Sequence, residues 1–241
     1  MAKRAARRTK LHAIDSARIH NLVFDHTPAN DRDQSYVRKI RPRSDNQRIL
    51  MEAIDTKPLT VALGPAGTGK TYLAISAAVE ALEAGTVSRI MLSRPAVEAG
   101  ENLGFLPGDM REKLDPYLRP LWDALNDRLG AKRLRQNLDD GTIEIAPVAF
   151  MRGRTLNNSF VLIDEAQNCT YGQLKMLLTR LGWHSTMVVT GDPNQSDLLP
   201  GLSGLSDVAT RLEALSDVSV VRLNEVDIVR HPLVASMLGV L

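Results

Sequence analysis

Between an apolar run, Val61-Ala62-Leu63, and a run of helical periodicity, Tyr72–Leu82, the chain reads Gly64-Pro65-Ala66-Gly67-Thr68-Gly69-Lys70-Thr71. A strand, then G-x-x-x-x-G-K-[ST], then a helix constrains the fold more than any other stretch, because the motif works only in that setting. The glycines let successive backbone N–H groups turn inward and form a nest of donors sized for phosphate. The following helix adds its unpaired N–H groups and the positive end of its dipole. Gly64, Pro65, Ala66, Gly67, Thr68 and Gly69 are therefore expected to cradle a nucleoside triphosphate. In that arrangement Lys70 reaches the β- and γ-phosphates, and the Thr71 hydroxyl holds Mg²⁺. Tyr72, next in line, closes the expected nucleotide-binding stretch. The plainer alternative is a glycine-rich turn, which the flanking strand and helix patterns argue against.

A length of 241 residues with 44% hydrophobic content suits one α/β domain with extensions, or two small domains at most. No apolar run approaches a membrane span and no signal-peptide pattern opens the chain, so a cytoplasmic protein with no membrane partner is expected. Cys169 is the only cysteine, which excludes an internal disulfide and a cysteine-built zinc site. His12, His20, His26, His184 and His231 show no metal-ligand spacing. Charge is unevenly spread. Residues 1–60 carry 13 Lys and Arg against 7 Asp and Glu, whereas the remainder carries 17 against 21. The asymmetry suggests either an arm that meets a polyanion or a solvated terminus.

Residues 1–40 read as a basic N-terminal extension, with Ile19, Leu22, Val23 and Phe24 as one short apolar cluster. Ser44 then opens a helix to about Ile54 with Ile49, Leu50, Ala53 and Ile54 on one face. Gln47 has two readings. It fits a capping box with Ser44, or it presents its amide to an adenine edge. Gly85 is expected to cap the helix after the phosphate loop, ahead of a strand over Ser88–Ser93. Arg94 follows that strand's carboxyl end, and the glycine-rich stretch Ala96–Asp109 reads as a long functional loop. Residues 111–129 show helical spacing interrupted by Pro116 and Pro120. Thr142–Ala146 reads as a strand. Arg152 and Arg154, around Gly153, are candidate phosphate or nucleic-acid contacts, with plain surface charge as the alternative.

The apolar strand Ser159–Ile163 delivers Asp164-Glu165, about 90 residues past the phosphate loop. Asp164 is placed to hold magnesium and Glu165 to take a proton from the attacking water. An acidic strand end that caps a helix is the alternative. A helix is expected over Thr170–Leu181, a strand over Thr186–Thr190, a helix over Gly204–Leu215 and a strand over Val218–Leu223. Gln195 sits where a polar group can bridge γ-phosphate and water, although Pro193 also fits a simple turn. Arg230 is the candidate charge for the transition state, with an ion pair to Asp227 as the alternative. Cys169 reads as a small apolar residue.

The series GPAGTGKT, LSRPAVEAGENLGFLPGD, APVAFMRGRTL, VLIDEAQN, VTGDPNQSDL and DIVRHPLV closely resembles the PhoH-like ATPases, over roughly residues 41–236. That resemblance implies a domain over 41–241 with an α/β, three-layer RecA-like P-loop NTPase fold and a mostly parallel central sheet, like the first domain of superfamily 1 helicases. Strand 186–190 should then lie between the P-loop strand and the strand bearing Asp164. The resemblance also implies ATP hydrolysis with Mg²⁺. Gln47 matches the adenine-reading glutamine and Gln195 the glutamine of motif III. Coupling to RNA or single-stranded nucleic acid within a homo-oligomeric ring, such as a hexamer, is implied too, with Arg94, Arg152 and Arg154 as contacts. A nucleotide-dependent switch that never touches nucleic acid is the rival, since aromatic residues are only 4% and stacking platforms are scarce.

Overall fold

The computed structural model describes residues 40–95 and 110–229. The basic extension, the stretch Ala96–Asp109 and Arg230 lie outside them. In chain order the elements are α1 (Asp45–Thr56), β1 (Leu59–Leu63), α2 (Lys70–Glu83), β2 (Arg89–Ser93), α3 (Met110–Leu129) and α4 (Ala131–Asp139). Next come β3 (Ile143–Ile145), β4 (Ser159–Ile163), α5 (Tyr171–Leu178), β5 (Thr186–Gly191), α6 (Leu205–Leu212) and β6 (Val218–Arg222). The strands form one sheet in the order β3-β2-β4-β5-β1-β6. Every pairing among them is parallel, so this sheet is wholly rather than mostly so.

β1 (LTVAL) and β4 (SFVLI) are buried along their full length. Such nearly continuous apolar runs suit a parallel sheet covered on both faces. Alternate residues divide between the two layers. Leu59, Val61, Leu63, Val161, Ile163, Met187 and Val189 pack with Leu174 and Leu177 of α5 and Leu205 and Val208 of α6. The opposite face carries α2, which packs on β2, β4 and β5 through a buried stripe of Leu73, Ala74, Ile75, Ala78 and Val79. β5 lies between β1 and β4, with Val189 opposite both Val61 and Ile163, as the RecA-like order requires. Because all strands run the same way, their carboxyl ends deliver the P-loop, Arg94, Asp164, Asp192 and Asn224 to one edge, where open α/β sheets bind ligands.

Local chemistry explains most boundaries. α2 ends at Gly85 (φ +70°), where Thr86 N–H bonds Ala81 O at 3.0 Å and Gly85 N–H bonds Leu82 O at 3.1 Å. That paired closure needs a left-handed residue after the helix. α1 buries Gln47, Leu50, Ala53 and Ile54, while Ile49, expected on that face, is exposed. α3 runs unbroken through Pro116 and Pro120, where the sequence suggests interruptions. Each internal proline costs a helix roughly 3 kcal/mol. Burial of Leu121, Trp122, Leu125 and Leu129 offsets this, at about 1.5–3 kcal/mol for a large apolar side chain. α4 has no counterpart in the sequence reading, although Ala131, Leu134 and Leu138 share one face; Leu134 is its only buried residue. α5 stops three residues earlier than expected. There Leu181 bridges Leu156 and Gly182 N–H bonds Leu156 O at 3.1 Å, so pairing beside β4 replaces the last helical turn. α6 likewise ends at Leu212, short of the expected Leu215. Cys169 is fully buried and burial pushes its thiol up to about 12, in keeping with a small apolar core residue.

Asp227 clasps the start of α1 to the chain after β6. Its Oδ2 accepts from Asn46 Nδ2 at 2.9 Å and from Asn224 N–H at 2.8 Å. Burial pushes this carboxyl up, but hydrogen bonds from Ser44, Asn224 and Asn46 outweigh it and hold it below its ordinary range. The stabilisation is therefore complete above the unfolded carboxylate value of about 3.9 and is lost as pH falls through the lower folded value. Asp227→Asn is expected to lower the urea midpoint at pH 7, with the gap to the parent closing as pH falls below about 4. A gap that stays constant with pH would show that the Asp227 charge contributes nothing.

Candidate active site

The P-loop leaves β1 through a passage that only glycine fits. At Gly64 (φ +145°) an added Cβ would stand 2.4 Å from the carbonyl oxygen of Leu223, just past β6. Gly64 N–H bonds Gly191 O at 3.1 Å and Leu223 N–H bonds Leu63 O at 2.7 Å, so β5 and β6 hold the loop from both sides. Gly69 (φ +86°) precedes α2, and no side chain caps that helix. Its first N–H groups therefore face the loop, the arrangement that binds anions.

Lys70 turns its ammonium onto the loop itself, donating to Gly64 O at 2.6 Å and Pro65 O at 2.8 Å. Burial pushes its pKa down, against the opposing pull of Asp192, Glu165 and Asp164. A partly desolvated cation ringed by carbonyls is poised to exchange them for phosphate oxygens. Next to it, Thr71 Oγ1 donates to Asp164 Oδ1 at 2.6 Å, and Thr190 Oγ1 donates to the same oxygen at 2.6 Å. Asp164 is only 2% exposed. Two hydroxyls thus fix a buried carboxylate whose unpaired charge would otherwise be costly.

Glu165 holds a left-handed backbone (φ +53°, ψ 42°), unusual for a residue with a side chain and costing about 1–3 kcal/mol. Its Oε2 accepts from Gln167 Nε2 at 2.5 Å, and its Oε1 lies 3.3 Å from Arg94 Nη2. Arg94 also approaches Asp164 Oδ2 at 3.7 Å. Gln195 is exposed, and with Glu165, Gln167 and Asn168 it lines a cavity of about 470 Å³. Its N–H bonds Asp192 O at 3.0 Å in the turn that Pro193 suggests.

The remaining candidates are placed less simply. Gln47 is 4% exposed, and its amide is used on both sides. Its Oε1 accepts from Arg43 N–H at 2.8 Å and its Nε2 donates to Thr68 O at 3.0 Å. Half of the expected capping box forms, with Ser44 Oγ accepting from Gln47 N–H at 3.2 Å, but the return arm goes to Arg43 instead of Ser44. Tyr72 donates its hydroxyl to Asp127 Oδ2 at 2.5 Å, and burial followed by that carboxylate pushes the phenol up. It lines a second cavity, of about 400 Å³, with Thr71, Asp123 and Asp164.

Two of the three arginines expected to face nucleic acid are otherwise engaged. Arg94 points into the acidic pair, since β2 lies beside β4 in the sheet. Arg154 forms a two-pronged pair with Glu144 at 2.6 and 2.8 Å, because the turn through Gly153 returns it to β3. Arg152 alone of the three is exposed. Arg230 lies outside the described residues. Its neighbour Val229 donates its N–H to Gly67 O at 2.9 Å, next to the phosphate nest. The sequence reading missed Thr190, Gln167 and Asp192, whose N–H bonds Gln167 Oε1 at 3.1 Å. Polar residues at or just after the ends of apolar strands were the available signal.

The family model described as PhoH-like protein matches residues 39–241. The chain belongs to that family. A PhoH-like protein of Bacillus subtilis (strain 168) is 52% identical over 202 residues, which are 83% of this chain and 63% of that protein. One from Synechocystis is 48% identical over 230 residues, 94% of this chain and 69% of that protein. The PhoH-like chain thus spans roughly three fifths to two thirds of the length of these relatives. Among solved structures, the large terminase from a thermophilic bacteriophage superposes with a TM-score of 0.56 at 12% identity, covering 83% of this chain and 50% of that one. That likeness supports the RecA-like P-loop fold of this PhoH-like chain. No helix among its described residues is long and apolar enough to cross a membrane.

Proposed function

We propose that this PhoH-like chain binds ATP with magnesium in the P-loop and hydrolyses it, with Glu165 as the general base. One observation carries the reading. Residues 93 positions apart in sequence, Thr71 and Asp164, meet at 2.6 Å beside the phosphate nest, with Glu165 next in line. Magnesium usually takes one or two protein oxygens and completes its octahedron with waters and phosphates. The Thr71 hydroxyl and the Asp164 carboxylate fit that donor set, and no group of three acidic, His or Cys residues that could bind a metal occurs among the described residues. When bound, magnesium offsets the charge on the β- and γ-phosphates. Thr71 would offer a lone pair to the ion while its proton stays on Asp164, which Thr190 also holds. Lys70 would give up the Gly64 and Pro65 carbonyls for phosphate oxygens. Glu165 takes the water proton, Gln195 orients that water, and Arg230 supplies a further positive charge.

Coupling to RNA or another single-stranded nucleic acid, in a ring of copies, extends this reading. Its support is the basic first 60 residues and exposed Arg152. The engagement of Arg94 and Arg154 with carboxylates favours the rival, a nucleotide-dependent switch. Turnover of ATP with and without single-stranded RNA, at two salt concentrations, decides between them. Coupling predicts stimulation and sequence-tolerant binding that falls steeply with salt, because counterion release drives it. Deleting residues 1–10 should weaken binding uniformly across sequences. RNA that neither binds nor stimulates at low salt leaves the switch.

A further inference from the structure

We infer that Arg94 is a sensor of the terminal phosphate, holding Glu165 until a triphosphate draws the guanidinium away. This rests on the reading of the P-loop as a triphosphate site. Each oxygen of Glu165 accepts one bond, Oε2 from Gln167 at 2.5 Å and Oε1 from Arg94 at 3.3 Å. Each keeps a second lone pair, but the Arg94 guanidinium lines the same cavities as Oε1, so a water reaching that oxygen competes with the cation.

Arg94 is the partner held more loosely. Its contacts of 3.3 and 3.7 Å exceed the roughly 2.7–2.9 Å of charge-assisted hydrogen bonds. The same chain shows what a settled arginine looks like, since Arg154 grips Glu144 with two parallel bonds of 2.6 and 2.8 Å. Arg94 is also in the right place. It and Glu165 line both cavities, the one of about 470 Å³ toward Gln195 and the one of about 400 Å³ toward Thr71 and Asp164. The ion pair therefore borders both the magnesium side of the site and the Gln195 side. A γ-phosphate, with more negative charge than Glu165 and several oxygens suited to a two-pronged grip, outcompetes the single carboxylate contact. Once Arg94 turns to the phosphate, Glu165 Oε1 is left to the water that Gln195 orients. A diphosphate lacks the group that triggers this exchange.

Titration of Mg·ATPγS and Mg·ADP into the full chain and into Arg94→Gln tests the inference by binding alone. Arg94→Gln should weaken ATPγS by about tenfold to a hundredfold, the range for a lost charged hydrogen bond, and leave ADP within about twofold. Arg94→Lys, which keeps the cation but loses the fork, should show a smaller loss confined to ATPγS. Equal weakening of both nucleotides, or no change in either, would overturn the inference while leaving the nucleotide site intact. Failure of the parent chain to bind either nucleotide would overturn the site reading itself, and the inference with it.

Discussion

Replacing Glu165 with glutamine is expected to lower ATP turnover by about 10²-fold or more while ATP still binds. Glutamine has nearly the same size and the same backbone needs at the left-handed position, but it cannot take a proton from water. The cost to the fold is small, because Glu165 lies at the mouth of the site and only its contacts with Arg94 and Gln167 change. Asp164, Thr71 and Thr190 keep their mutual bonds. Lys70→Ala should behave differently and weaken nucleotide binding itself, since its ammonium is the cation at the nest. The check is turnover, nucleotide affinity and thermal midpoint measured on the same preparations. Glu165→Gln turning over ATP at the parental rate would mean that another group is the base.

Arg230→Ala is expected to cost more, about 10³-fold in turnover, within the range of roughly 10³–10⁵ that an arginine finger supplies. Its neighbour Val229 donates its N–H to Gly67 O in the P-loop, and β6 runs beside β1. Mixing tests whether the arginine acts across an interface. An Arg230→Ala subunit keeps its own Glu165 and can borrow arginine from a Glu165→Gln neighbour. Activity should reappear on mixing two inactive proteins, rise with the share of mixed interfaces and vanish on dilution. Co-assembled mixtures that stay inactive at every ratio would confine Arg230 to its own subunit.

The parts of the fold legible in the sequence are those set by local, repeated physics. The P-loop declares itself through residue types that no other structure requires together, and β1 and β4 through apolar runs too continuous for an exposed strand. Gly85 is readable as a helix stop because its left-handed backbone is a local demand. Strand order is not local, and it comes from the family resemblance. What escapes depends on neighbours distant in sequence. Arg94 and Arg154 look alike as arginines beside small residues, yet sheet order brings one to Glu165 and the other to Glu144. Gln47 has two readings in the sequence, and neither foresees that its amide ties Arg43 N–H to the P-loop carbonyl of Thr68. Thr190 reads as an ordinary β-branched residue of β5, and only the pairing of β5 with β4 puts its hydroxyl on Asp164. The prolines of α3 do act against a helix, and a buried face outweighs them.

Single-turnover release of phosphate from ATP, with binding followed on the same sample, tests the central claim most directly. The parent chain should bind ATP and release phosphate only when magnesium is supplied. Glu165→Gln should bind and release about 10²-fold more slowly, and Lys70→Ala should bind weakly. A parent chain that binds Mg·ATP and releases no phosphate, with or without single-stranded RNA, would contradict the assignment of hydrolysis to this site.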